Sequence, residues 1–457
     1  LTVMTFLGAG MLSGISAQVS PLQVDTLKET KIPDQWDLQS CIDYAKEQNI
    51  TIRKNRITAA STQIDVKTAK AALFPSLSFS TGQQVVNRPY QETSSRVSGS
   101  EIISSNSKTS YNGNYGLNAS WTLYNGNKRL KTIQQEKLNN QMAELDVATS
   151  ENNIQESIAQ VYIQILYAAE SVKVNENTLQ VSIAQRDRGQ ELLNAGSIAK
   201  SDLAQLEAQV STDRYQLVTA QATLEDYKLQ LKQLLELDGE NEMNIYLPAL
   251  SDENVLAPLP TKRDVYISAL SLRPEIEASK LNVEASELGI NIAKSSYFPT
   301  ISLSAGIGTN HTSGSDFTFG EQVKNGWNNS IGLSISVPIF NNRQTKSAVQ
   351  KAKLQYETSM LSLLDEQKAL YKTIESLWLD ANSAQQRYAA ANEKLKSTQI
   401  SYELISEQFN LGMKNTIELL TEKNNLLQAQ QEQLQAKYMA ILNTQLLKFY
   451  QGDQLAI

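Results

Sequence analysis

Cysteine and histidine each occur once in this 457-residue chain, as Cys41 and His311. A single cysteine excludes an internal disulfide framework. The pair is also too few to build a zinc site from several His and Cys ligands. A Ser-His-Asp set could draw only on His311, which lies in a Gly/Ser/Thr-rich stretch. No glycine-rich phosphate loop is written anywhere, so neither an enzyme nor a cofactor is expected. Phenylalanine, tryptophan and proline are sparse at 9, 4 and 10 residues. The background is rich in Gln, Asn, Ser, Ala, Leu and Lys, which suits long solvated helices better than one thick core. Positive charge is not in excess, and the net charge of −7 argues against non-specific nucleic-acid binding. Past the N-terminal leader no apolar run reaches the length of about 18 residues that a membrane-spanning helix needs. Any passage through a bilayer must therefore be made by a closed β-barrel.

The leader is the apolar stretch Val3 to Leu12, followed by Ser13-Gly14-Ile15-Ser16-Ala17. It has the h-region and cleavage region of a secretory signal peptide but not its basic start, so residues 1–17 are expected to be a partial signal.

What is present in force is a duplication. Lys70-Ala71-Ala72-Leu73-Phe74-Pro75-Ser76-Leu77 returns as Lys294-Ser295-Ser296-Tyr297-Phe298-Pro299-Thr300-Ile301, at an offset of 224 residues. Trp121-Thr122-Leu123-Tyr124-Asn125 returns as Val337-Pro338-Ile339-Phe340-Asn341, now at 216. Leu193-Asn194-Ala195-Gly196 with Ser201-Asp202-Leu203 returns as Phe409-Asn410-Leu411-Gly412 with Ile417-Glu418-Leu419, again at 216. The eight-residue difference falls in the loop joining two strands. Two copies make a tandem duplication rather than a solenoid. Their expected bounds are 36–236 and 263–450, joined by a Pro-containing linker over 237–262.

Each copy alternates at period two and then at period 3.5. Ile301, Leu303, Ala305 and Ile307 share one face against Ser302, Ser304, Gly306 and Gly308. Ile331, Leu333, Ile335, Val337 and Ile339 oppose Ser330, Gly332, Ser334 and Ser336. Tyr115, Leu117, Ala119, Trp121 and Leu123 oppose Asn114, Gly116, Asn118, Ser120 and Thr122, and Leu77 and Phe79 repeat the pattern more weakly. Such alternation puts each set on one face of a sheet. A half-buried sheet of a soluble protein shows it too. Three features favour a membrane strand: runs of about ten residues, small uncharged polar faces, and aromatics gathered at the ends. Four strands cannot close a barrel, because roughly eight is the smallest membrane barrel, so copies must assemble. The strands alone do not set the copy number.

The helical part follows heptads. Leu370, Ile374, Leu377, Ala381, Ala384, Tyr388, Ala391, Leu395, Thr398, Tyr402, Ile405 and Phe409 follow one another at steps of four and three. The first copy keeps Ile154, Ile158, Val161, Ile165, Ala168 and Val172, then turns polar at Asn175 and Ser182. Gly196 and Gly412 mark the ends of these helices. Ser201 is expected to cap the next helix with Asp202 in its first turn, and Thr416 and Glu418 to play the same parts in the second copy.

The order and doubling of these motifs, from about Trp36 to Tyr450, resemble the TolC-type outer-membrane efflux protein family. The resemblance implies a mixed α/β membrane protein with four transmembrane β-strands and four principal long α-helices per chain. As a homotrimer it would form a 12-stranded β-barrel above a periplasmic α-helical barrel. The implied function is the passive exit duct of a tripartite efflux or type I secretion system in the outer membrane of a Gram-negative cell. Its implied partners are outer-membrane lipid, a periplasmic adaptor and an inner-membrane pump of RND or ABC type. The resemblance places adaptor docking at the tips, here Ala195, Gly196, Ser197, Leu411, Gly412 and Met413. A constriction is implied at Glu418, with Lys414 and Phe409 in the closing contacts. The family's second acidic position falls on Thr421, with Glu422 adjacent, and Asp202 is the counterpart of Glu418 in the first copy. A structural or adhesive coiled-coil fibre is the alternative; it accounts for the heptads but not for the paired amphipathic strands.

Overall fold

The computed structural model describes residues 33–90, 94–98, 101–105, 108–238, 243–248, 255–313, 315 and 317–455; for 94–98 and 101–105 it describes the backbone alone. The leader over 1–17 and parts of the linker lie outside these residues. Two short helices, α1 (Leu38–Gln48) and α2 (Ile50–Ala71), lead into strand β1 (Ser76–Asn87). A small hairpin of β2 (Ser94–Ser98) and β3 (Glu101–Ser105) follows, then β4 (Thr109–Asn125), α3 (Lys128–Asn194) and α4 (Lys200–Leu234). The second copy runs α5 (Lys262–Leu272), α6 (Pro274–Ser295), β5 (Thr300–Thr312), α7 (Phe319–Asn325), β6 (Asn328–Ser336), α8 (Gln344–Asn410) and α9 (Thr416–Gln451). The length difference between the copies falls where the first carries the β2–β3 hairpin and the second carries α7.

The long strands form one antiparallel sheet in the order β1-β4-β5-β6. Its register lines like up with like. Leu77, Ala119, Ala305 and Ile331 form one cross-strand row; Ser78, Asn118, Gly306 and Ser330 form the row behind it. A one-residue slip would exchange the faces, so the apolar pattern fixes the register. One departure from simple alternation occurs. The register shifts between Thr122 and Tyr124, which sets Tyr124 rather than Leu123 opposite Ile301. β6 ends at Ser336, so Val337 and Ile339, expected on its apolar face, lie beyond the strand.

Each strand continues a helix, and the helices keep the strands' order. α2 packs on α3, α3 on α6, and α6 on α8. The outer members, α2 with β1 and α8 with β6, therefore form the two outer sides of the chain. Each side is left bare in a single copy. On α2, Ile50, Ile57 and Ile64 are exposed at heptad spacing, and on α8 so are Leu354 and Leu361, with Leu364 and Tyr371.

α3 and α8 each hold 67 residues, so each is about 100 Å long at about 1.5 Å per residue. Their cores are seams rather than globules. In α8 the expected heptad positions Leu370, Ile374, Ala381, Ala384, Tyr388, Ala391 and Phe409 are buried, and the intervening members are half-buried. The thickest core among the described residues lies near the middle of the long helices α3 and α8, where Trp36, Cys41, Ile42, Ile158, Tyr162, Ile165, Leu231, Tyr388 and Leu446 meet. There the linker is a packed strap rather than a free tether. Ile245 bridges Trp36 in parallel, Val255 is buried, and Gln385 donates to the Val255 and Ala257 carbonyls at 3.0 and 2.8 Å. Arg273, between α5 and α6, ties the same region together. It bonds Glu156 at 2.8 Å and Glu275 at 2.9 Å and lies 4.0 Å over the Tyr450 ring.

Cys41 sits within this core, fully buried, and burial pushes its thiol up to about 12. A thiolate is the reactive species. In native protein at neutral pH Cys41 should therefore resist a water-soluble thiol reagent and react only on unfolding. Rapid labelling of folded protein would contradict its place in the core.

Candidate functional site: the helical tips and the clasp above them

At both tips the chain turns through the same device. Gly196 and Gly412 hold φ of +73° and +76°, a left-handed conformation that costs glycine no Cβ strain. Gly196 and Ser197 donate their N–H groups back to the Leu193 and Leu192 carbonyls at 2.9 and 2.8 Å; Gly412 and Met413 donate to Phe409 and Gln408, both at 2.9 Å. These are Schellman closures, and they leave Leu411 and Met413 exposed.

The caps that follow differ from the expected ones. Ala199, not Ser201, is the N-cap of α4, and the Asp202 carboxylate accepts from the Ala199 N–H at 3.0 Å. In the second copy Asn415, not Thr416, is the N-cap of α9. Its side chain accepts from the Glu418 N–H at 2.9 Å, and Glu418 accepts from the Asn415 N–H at 3.2 Å. A side chain reaching back from the third helical position satisfies a free N–H as well as a capping hydroxyl does.

Of the expected gate residues, Lys414 and Glu418 meet, at 2.6 Å. The Lys414 ammonium, aided by the Asn415 N–H, holds the Glu418 carboxyl below the usual carboxylate range. A carboxyl depressed in the fold steadies it above the ordinary pKa of about 4.5, and that contribution fades as pH falls further. Phe409 is buried at the end of α8. Glu422 accepts from the Ser401 hydroxyl at 3.1 Å, and the Thr421 hydroxyl donates to the Ile417 carbonyl at 2.8 Å. Asp202 caps its own helix.

A second cluster lies about three to four turns above the tips. Lys423 on α9, Asp213 on α4 and Ser182 on α3 are all buried and mutually hydrogen-bonded. Gln209 donates to Asp213 at 2.9 Å, and Gln185 donates to the Tyr402 hydroxyl at 2.9 Å. The Lys423 bonds, the Gln185–Tyr402 bond and a 3.3 Å bond from Gln209 to Asn424 of α9 clasp the α3–α4 hairpin to the α8–α9 hairpin. Burial pushes the Lys423 ammonium down, against the pull of Asp213. The sequence signal for this cluster was the polar turn of the first heptad seam at Asn175 and Ser182. Lys423 and Asp213 gave none, since charges on a helix read as a solvated face.

The sequence model described as "Outer membrane efflux protein" matches residues 41–236 and 265–452. The chain belongs to the outer membrane efflux protein family. It is 24% identical over 294 residues to outer membrane efflux protein BepC of Brucella suis biovar 1 (strain 1330), covering 64% of this chain and 61% of that one. It is 24% identical over 294 residues to outer membrane protein TolC of Escherichia coli (strain K12), covering 62% and 58%. The match thus spans about three fifths of each of these relatives. The crystal structures of CusC share the fold at a TM-score of 0.77 and 19% identity, over 91% of this chain and 92% of that one. In this efflux-family member the tips are therefore the far ends of TolC-type helices, and the clasp is a bond between its two repeats.

Removing one partner of a buried ion pair costs about 3–5 kcal/mol, while replacing both with apolar groups costs far less. Lys423→Ala should accordingly lower the unfolding midpoint sharply, and Lys423→Met with Asp213→Leu should recover most of it. Equal losses in both variants, read by thermal melts in detergent, would show that the clasp is not an ion pair.

Proposed function

We propose that the chain is one subunit of a homotrimeric, passive exit duct of the outer membrane, serving efflux or type I secretion without catalysis. The observation that carries this reading is the matched pair of open sides. β1 and β6 lack outer partners in the described sheet, and α2 and α8 carry bare apolar stripes on the same two sides. Such sides are head-to-tail complements, and a head-to-tail interface closes into a ring when the rotation permits. Lipid enforces closure, because an unpaired backbone group there costs several kcal/mol. Three copies of four strands make a 12-stranded barrel with Ser, Gly and Asn on the wet side.

In this reading residues 1–17 are the leader, 36–236 and 263–450 the two repeats, and 237–262 the strap between them. The tips at Ala195-Gly196-Ser197 and Leu411-Gly412-Met413 receive a periplasmic adaptor, and an inner-membrane pump of RND or ABC type supplies the energy. The fibre alternative leaves the four-stranded sheet without a role.

Conductance steps in planar bilayers on adding the purified protein test the duct, and their absence from correctly folded oligomer would refute it. Ile57→Glu and Leu361→Glu should each leave the single chain folded, since both side chains are exposed in it. Each should abolish the heat-sensitive oligomer on gels, and full retention in both variants would remove these stripes from the interface.

At the constriction, Glu418 rings the axis with Lys414 as its counter-charge. Glu418→Ala should weaken cation preference in single-channel recordings, and Lys414→Ala should strengthen it. Unchanged selectivity in both would remove the pair from the pore.

A further inference from the structure

The β5–β6 connection does not merely turn. α7, only seven residues long, folds back over the sheet, and the register identifies the face it covers. Thr309 and His311 lie on the apolar side, two and four residues beyond Ile307. The Thr309 hydroxyl donates to the Val323 carbonyl of α7 at 2.7 Å, and Phe319 of α7 meets His311 edge-on with ring centroids 5.0 Å apart. His311 lies over Gly113, its partner across the strand pair, where a Cβ would stand 2.2 Å from the ring. Tyr111 and Tyr115 flank it at 5.3 and 6.0 Å. Around this cluster Phe317, Phe319 and Trp327 stay more than half exposed.

The level of the cluster is what gives it meaning. Tyr124 stands opposite Ile301 near the helical end of the sheet, with Trp121, Tyr297 and Phe298 close by in the chain. From Ile301 to His311 is ten residues, about 33 Å of strand at about 3.3 Å per residue. A tilt of about 40° turns that into about 25 Å of height, the thickness of the apolar band on a membrane barrel. Tyr and Trp belong at its two borders, with an apolar ring in the acyl region and a polar edge among headgroups. The shelf is continuous with the apolar face of β4, β5 and β6.

We infer that α7, with Phe317, Phe319, Trp327 and the His311–Tyr111–Tyr115 cluster, is a lipid-binding shelf in the far headgroup layer, on the outside of the barrel. It anchors the β5–β6 connection to the membrane instead of laying it over the pore. This rests on the duct reading given above.

Nitroxide labels test it. Cys41 is buried and is replaced by alanine in the labelling background, so cysteines introduced as Phe317→Cys, Trp327→Cys, Ile331→Cys and Ser197→Cys can be labelled singly. All four positions are on the surface, where substitution disturbs packing little. In reconstituted vesicles, nickel held on chelating lipid headgroups should relax the labels at 317 and 327 several-fold more than those at 331 and 197. Oxygen should favour 331, and dissolved nickel chelate should favour 197. If 317 and 327 instead respond like 197, the shelf faces water and the inference fails. If none of the three reagents reaches them, a neighbouring copy covers the shelf, and the inference fails again. If the label at Ile331 itself behaves as aqueous, the underlying membrane reading fails.

Discussion

Everything in this molecule depends on the unpaired backbone along the outer edges of β1 and β6. A four-stranded antiparallel sheet with its apolar face exposed is unstable alone in water and more so in lipid, where no solvent can satisfy its edge groups. The cure is another edge of the same kind. In the proposed ring, because each long strand runs directly into or out of a helix, the same closure brings α2 to α8. One geometric requirement at the sheet therefore sets the partner for the helix below it, over the 22 residues of α2, about 33 Å at about 1.5 Å per residue.

That coupling explains the distribution of packing. Middle-sized apolar and small residues line the seams, so helices approach closely, and among the described residues the thickest core lies where the strap crosses. The bulky residues concentrate where the strap crosses, around Trp36, Tyr162, Tyr388 and Arg273. Below that belt polar bonds also join the two hairpins. Lys423, Asp213 and Ser182 are specific in direction and costly to break singly, whereas apolar seams can slide. The tips end on glycine turns with open space around both Gly196 and Gly412, leaving their exposed side chains free to meet other molecules.

The periodic parts were legible in the sequence because period identifies face. Ile301 to Ile307 and Leu370 to Phe409 announce a strand and a seam, and they occur as such. The exceptions have physical reasons. The bulge beside Tyr124 breaks alternation by one residue, which no period can register. The short strands β2 and β3 and the seven-residue α7 are too short to show a period at all. Ser201 and Thr416 carry the usual capping hydroxyl, yet Asp202 and Glu418 reach back to N-caps at Ala199 and Asn415. At the site, Lys414 and Glu418 were singled out by the resemblance alone; Lys414 precedes the Asn415 N-cap and lies outside α9, so the turn into the helix, not helical spacing, brings them to 2.6 Å. Asp213 and Lys423 come from different repeats 210 residues apart, and only the docking of one hairpin on the other brings them together.

The central claim is that open edges are satisfied by identical copies. Sedimentation equilibrium of the purified protein in density-matched detergent, with circular dichroism on the same sample, measures this directly. The account predicts a particle of three chains with a clear β contribution beside the helical signal. A monodisperse single chain that needs no detergent and shows no β signal would contradict it.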